Sequence, residues 1–182
     1  YVGCNSISNT SGLQRYTKVT GVWTNITPAG LDPRIPDIEL SSTGRLHISC
    51  GYYNTATASS AYRYTDNPAT VTASSWTAPA TTSPTQYNVA FASNGNTLYA
   101  LSSNSAFQVT TIYKSTNGGA NWAATGTTPA FTSGQAWYCM AIAVDPTNAN
   151  NVIAGSLDCY KTTNGGTSWS KISEWVGTTG QY

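Results

Sequence analysis

An all-β fold built from repeated four-stranded sheets is predicted by three features of the chain. Tyr113-Lys-Ser-Thr-Asn-Gly-Gly-Ala-Asn-Trp122 returns, 47 residues on, as Tyr160-Lys-Thr-Thr-Asn-Gly-Gly-Thr-Ser-Trp169. Two short apolar runs precede each strong copy, joined by turn-forming residues. No window sustains apolar residues at helical spacing, so no helix is predicted.

Each copy reads as a hairpin. Asn-Gly-Gly supplies left-handed backbone that a residue with a Cβ adopts poorly, and the tryptophan opens the returning strand. Weaker copies run from Tyr16 to Trp23 and from Tyr62 to Trp76, so that tyrosines 16, 62, 113 and 160 serve as anchors spaced 46, 51 and 47 residues apart. The upstream runs are 140–144 with 151–155, 89–92 with 97–101, and 35–40 with 45–49. Four strands per unit at this period predict the blades of a β-propeller, about four of them, with units at 1–30, 31–80, 81–128 and 129–175. Tyr1-Val-Gly-Cys4 aligns with second strands, so the first unit is expected to lack its innermost strand. Either the chain is a fragment of a larger propeller or its two ends pair to close a ring. The fragment is preferred because 173–182 is short and glycine-rich for an innermost strand.

Composition narrows the function classes. Only 8% of the 182 residues are charged, against about 25% in ordinary soluble domains, and the net charge is +1. With no basic run, nucleic acid and anionic membranes are not expected partners, and no apolar stretch is long enough to insert in a bilayer. Low charge, many hydroxyls and many aromatics fit an extracellular or cell-surface protein, and sequons at Asn9 and Asn25 would accept glycans in a eukaryotic secretory route.

Four cysteines stand at positions 4, 50, 139 and 159 without the spacing of a zinc site, and neither metal nor cofactor is expected. Their places in the repeat put all four on one face. A Cys139–Cys159 bridge is the leading pairing, Cys4–Cys50 a second, and four free thiols the third reading.

The hairpins resemble the Asp-box (BNR) repeat, S-x-D-x-G-x-T-W. Ser115, Asn117, Gly119 and Trp122 match in one copy and Thr162, Asn164, Gly166 and Trp169 in the other, with Asn where the family prefers Asp. Sialidases, secreted xyloglucan hydrolases, sorting receptors and chloroplast assembly factors share this repeat. The resemblance implies ligand binding on the face opposite the Asn-Gly-Gly turns, where this sequence carries Arg34, Tyr52, Tyr53, Tyr87, Phe107, Trp137, Tyr138 and Asp158. Pro33-Arg34-Ile35-Pro36 is similar to the sialidase F/Y-R-I-P motif, which would make Arg34 a carboxylate-gripping guanidinium. Sialidases place a general acid after the second strand, yet residues 51–61 hold no carboxylate. A hydrolytic pair within the chain would have to draw on Asp37, facing the central channel with Glu39, and Asp158.

The sequence therefore points to a non-catalytic recognition or scaffold module of a larger secreted or surface protein, with glycan or protein ligands and further blades or domains beside it. The alternative is a glycoside hydrolase whose carboxylates lie partly outside these residues.

Overall fold

The computed structural model describes residues 1–3, 11–51, 61–81, 89–131 and 134–175. The described residues form four antiparallel sheets and contain no helix, hence none able to cross a membrane. The first sheet holds β1 (Val2–Gly3), β2 (Leu13–Thr17) and β3 (Val22–Asn25). The second holds β4 (Ile38–Leu40), β5 (Leu46–Cys50) and β6 (Ala61–Thr65). The third runs β7 (Val89–Asn94), β8 (Thr97–Ser103), β9 (Val109–Ser115), β10 (Ala123–Ala124), and the fourth β11 (Ala141–Val144), β12 (Val152–Gly155), β13 (Cys159–Thr162), β14 (Ser170–Lys171). Each sheet is a meander in chain order, the strand arrangement of a propeller blade, and we call the sheets blades 1 to 4.

Blade 2 departs from the expected four strands. Its outer strand shrinks to a single bridge between Tyr64 and Thr77, because Pro68 and the longer turn after Asp66 carry the chain away before a ladder can form. Its first strand begins at Ile38 rather than Ile35, since Pro36 removes a ladder donor. The tyrosine spacing also misleads by one residue. Asn67 N bonds Thr65 Oγ1 as Asn117 N bonds Ser115 Oγ, so Thr65 is the counterpart of Ser115 and Tyr62 the counterpart of Ile112, not of Tyr113. A shift of one residue in a strand turns the side chain to the other face.

Neighbouring blades pack face to face, and the middle strands of blades 2 and 3 are covered on both sides; every residue of β5 is buried. Leu13, Ile26, Ile35 and Ile48 fill the junction of blades 1 and 2. Tyr62, Tyr64, Phe91, Leu98 and Trp122 fill that of blades 2 and 3. Leu101, Ile112 and Ala154, with Ile142 and Trp169 against them, fill that of blades 3 and 4. The tryptophans thus do more than close their own turns. Trp76 donates from Nε1 to the carbonyl of Ile26 at 2.7 Å, Trp122 meets Tyr62 edge-on at 5.2 Å, and Trp169 joins the core of blade 3. Each reaches back onto the preceding blade.

Candidate functional site

The two strong turns share one hydrogen-bond scheme. Ser115 Oγ accepts from Gly119 N at 2.9 Å, and Asn117 Oδ1 accepts from Asn121 N at 2.9 Å and from the Ser115 hydroxyl at 3.0 Å. Thr162 Oγ1 accepts from Gly166 N at 3.1 Å, while Asn164 Oδ1 accepts from Ser168 N at 3.0 Å and from the Thr162 hydroxyl at 2.8 Å. Within these turns an acceptor oxygen is what the position requires, which is why Asn serves there as Asp would. The second amide also donates from Nδ2 to Ser168 Oγ at 2.9 Å. These residues build the turns that join the third and fourth strands of blades 3 and 4.

At the opposite ends of these strands, between blades 3 and 4, two backbone turns meet. Asn104 Oδ1 accepts from Ala106 N at 2.9 Å and Gln108 N at 3.0 Å, drawing the chain into a tight loop in which Phe107 takes φ +55°. The Phe107 carbonyl then accepts from Ala136 N at 2.8 Å, tying this loop to the segment entering blade 4. Tyr138 N and Cys139 N both donate to the Gln135 carbonyl, at 3.2 and 3.1 Å, so the chain turns and lifts Trp137 and Tyr138 outward. Their ring centroids lie 4.3 Å apart at 66°, and they remain 42% and 57% exposed. The Tyr138 hydroxyl donates to Gln135 Oε1. Two large exposed rings braced by backbone bonds and a side-chain amide form a ready apolar platform with polar edges. Gln135 was not among the residues nominated from sequence; its place two residues before Trp137 was the available signal.

The other nominated residues fare differently. Tyr52, Tyr53 and Tyr87 lie outside the described residues. Arg34 does not stand open to a carboxylate ligand: its guanidinium pairs with Asp32, through Nε at 2.8 Å and through NH2. Asp32 also holds Arg34 N at 2.9 Å, the bond expected of an Asp opening a Pro-containing turn. Asp158 is likewise engaged, accepting from Trp175 N at 2.7 Å and pairing with Lys171 at 3.0 Å. The backbone donor first, and then the lysine, hold its carboxyl below the usual carboxylate range.

Asp37 and Asp158 do not form a pair. Asp37 sits between β4 and β7, accepting from Phe91 N at 2.6 Å and Ile38 N at 2.8 Å, and burial raises its pKa. Glu39 Oε1 accepts from Ser93 Oγ at 2.5 Å, and burial raises its pKa as well. Both carboxylates thus join blade 2 to blade 3 instead of projecting into the channel. Asp66 pairs with Arg45 at 2.6 Å, Glu174 with Lys171 at 3.2 Å, and Asp145 bonds Thr147 N, Thr147 Oγ1 and Asn151 Nδ2. All seven acidic groups of the sequence are therefore held by partners within the chain.

The cysteines correct another expectation. Cys139 and Cys159 are free thiols, the Sγ of Cys139 lying 3.1 Å from Ser156 Oγ. The strand register places Cys159 opposite Gly155, with its sulfur 3.1 Å from where a Cβ on that glycine would stand, while Cys139 turns toward the neighbouring serine. Cys50 is free and buried, and Cys4 lies outside the described residues. Among the described residues no cluster of His, Cys, Asp and Glu has the makings of a metal site.

Neither a family model nor a curated protein matches the sequence. Solved structures do. The chain is similar to a GH74 enzyme from Niastella koreensis, with a TM-score of 0.66 at 15% identity, over 94% of this chain and 27% of that one. It is similar to YCF48 from Cyanidioschyzon merolae, with a TM-score of 0.55 at 16% identity, over 80% of this chain and 38% of that one. A YCF48 bound to D1 peptide matches with a TM-score of 0.50 at 12% identity, over 93% of this chain and 45% of that one. The fold is a β-propeller. The chain spans less than half the length of each of these structures.

Proposed function

We propose that this chain is a non-catalytic recognition module of an extracellular or cell-surface protein, and that it binds glycan through the Trp137–Tyr138 platform. The carrying observation is a contrast: two large rings are presented to solvent, while every acidic side chain is engaged in structural contacts. Stacking a pyranose CH face needs a braced ring with hydrogen-bonding groups at its edge, and the indole, the phenol and Gln135 supply these. Glycoside hydrolysis needs two positioned acidic groups or a tyrosine with its activating carboxylate, and no free pair exists among these residues. The similarity to a GH74 enzyme keeps glycans in view, and the similarity to a peptide-bound YCF48 keeps protein ligands in view.

A glycan array probed with the parent chain, Trp137→Ala and Tyr138→Ala tests this reading. Binding by the parent that falls about tenfold or more in either variant supports it. A parent that binds no glycan moves the assignment to a protein ligand, and turnover of a fluorogenic glycoside would move it to hydrolysis.

A further inference from the structure

At two blade junctions a cation beside a tyrosine ring seats the Asn-Gly-Gly hairpin of the following blade. At the junction of blades 2 and 3, Arg45 Cζ lies 4.3 Å from the centroid of the Tyr64 ring, and NH1 donates to the Gly118 carbonyl at 2.7 Å. Asp66 completes that cation, accepting from Nε at 2.6 Å and from NH2 at 2.9 Å. At the junction of blades 3 and 4, Lys114 Nζ lies 5.3 Å from the centroid of the Tyr99 ring and 2.6 Å from where a Cβ on Gly165 would stand. The oxygens around that point are neutral, Asn150 Oδ1 at 2.9 Å and the Tyr99 hydroxyl at 3.3 Å. Among the described residues no acid pairs with Lys114.

The repeat accounts for the difference. Thr65 corresponds to Ser115, so Asp66 corresponds to Thr116, and blade 3 carries a hydroxyl where blade 2 carries the carboxylate. A cleft of about 370 Å³ opens there between β10 and the Asn-Gly-Gly turn of blade 4, with Lys114 and Thr116 in its lining and no acidic residue. Asn117 and Asn121 also line it, and neither Nδ2 has a hydrogen-bond partner among the described residues. Thr125 adds a hydroxyl whose oxygen is shielded from solvent and likewise without such a partner. The walls belong to two consecutive blades, so the cleft does not depend on what lies beside the first or the last sheet.

We infer that this cleft binds an acidic sugar of the uronate class, whose carboxylate takes on Lys114 the place that Asp66 takes on Arg45. A half-buried ammonium surrounded by neutral oxygens favours a carboxylate through a charge-assisted hydrogen bond. The amides and hydroxyls of the walls suit ring hydroxyls, and the exposed methyl groups of Ala123 and Ala124 suit the CH groups between them. The cleft shares no residue with the Trp137–Tyr138 platform and stands or falls independently of it.

Nuclear magnetic resonance titration of the isotope-labelled chain tests this, read at the side-chain amides of Asn117 and Asn121 and at matched ionic strength. The probes are sodium glucuronate, methyl glucoside and sodium acetate. Glucuronate is expected to shift both amides, with the neutral glucoside and acetate each binding about tenfold more weakly or worse. Lys114→Met removes the ammonium, and Thr116→Asp supplies a carboxylate within the chain as Asp66 does; each is expected to weaken glucuronate by about tenfold or more. Circular dichroism verifies that both variants fold. Amides that glucuronate leaves unmoved overturn the inference, as does equal binding of glucuronate by the parent and Lys114→Met. An equal response to acetate would overturn the sugar, and an equal response to methyl glucoside would overturn the carboxylate.

Discussion

The Tyr62 hydroxyl stands 1.7 Å from where a Cβ on Gly119 would lie, so that a turn of blade 3 and a strand of blade 2 fit together through the absence of a side chain. Gly119 also has φ +80°, a conformation costly for any other residue. Gly119→Ala is expected to destabilise the chain by about 3 kcal/mol, from overpacking and backbone strain together. Urea unfolding measures it; an unchanged midpoint would remove this contact from the blade junction.

Asn117 and Asn164 act in their turns through the amide oxygen. Asn117→Asp is therefore expected to change stability by less than about 0.5 kcal/mol, while Asn117→Ala, which strips the acceptor from Asn121 N and Ser115, is expected to cost about 1–2 kcal/mol. Thermal melting of the two variants side by side distinguishes them, and equal losses would count against the acceptor role.

His47 is buried between blades 2 and 3 with its Nδ1 2.7 Å from the Tyr62 hydroxyl, and burial, with Arg45 nearby, draws its pKa down to about 4. An unfolded imidazole takes up its proton near pH 6.5 and the folded one near 4. Stability is thus fully present above the unfolded value and is lost as pH falls through that window, by a limit on the order of 3 kcal/mol. Urea titrations between neutral and acid pH should show this slope, and His47→Asn should flatten it.

Glu39 titrates in the opposite sense. Burial raises its folded pKa, so the folded state favours the protonated carboxyl and loses stability as pH rises past the unfolded value of about 4.5. Glu39→Gln keeps an oxygen for the Ser93 hydroxyl and is expected to match or exceed the parent by up to about 1 kcal/mol at neutral pH, with the gain gone in acid. A large loss at neutral pH would mean that the charge itself is needed.

The thiols make a chemical prediction. Cys139 and Cys159 are half-buried and free, whereas burial pushes the Cys50 thiol up to about 12. Alkylation of the native chain followed by peptide mass mapping should label Cys139 and Cys159, and label Cys50 only after unfolding. Protection of both half-buried sites until a reductant is added would restore the disulfide.

Much of the fold was legible because its signals are local. The turns around Asn117 and Asn164, the paired apolar runs and the missing helical period each follow from residues close together in the chain. The face-level details were not. Tyr62 looked equivalent to Tyr113, but a repeat with a variable turn does not fix register, and a single-residue slip reverses a side chain. Among the site residues, exposure of Trp137 and Tyr138 agrees with their place on a connecting segment. Asp37 and Asp158 looked available because nothing in their neighbourhood reveals partners such as Phe91 N, 54 residues from Asp37, or Trp175 N, 17 from Asp158; the partner of Arg34 stands two residues away at Asp32, where the sequence read only a turn residue.

The sequence alone determined that this protein is a set of meandering antiparallel sheets with glycine turns, since backbone chemistry and strand periodicity act over a few residues. Tertiary structure decided which polar groups stay open to a ligand. That depends on what the fold brings into hydrogen-bonding distance from elsewhere in the chain, from 17 residues away for Asp158 and Trp175 to 50 for Tyr99 and Ala149.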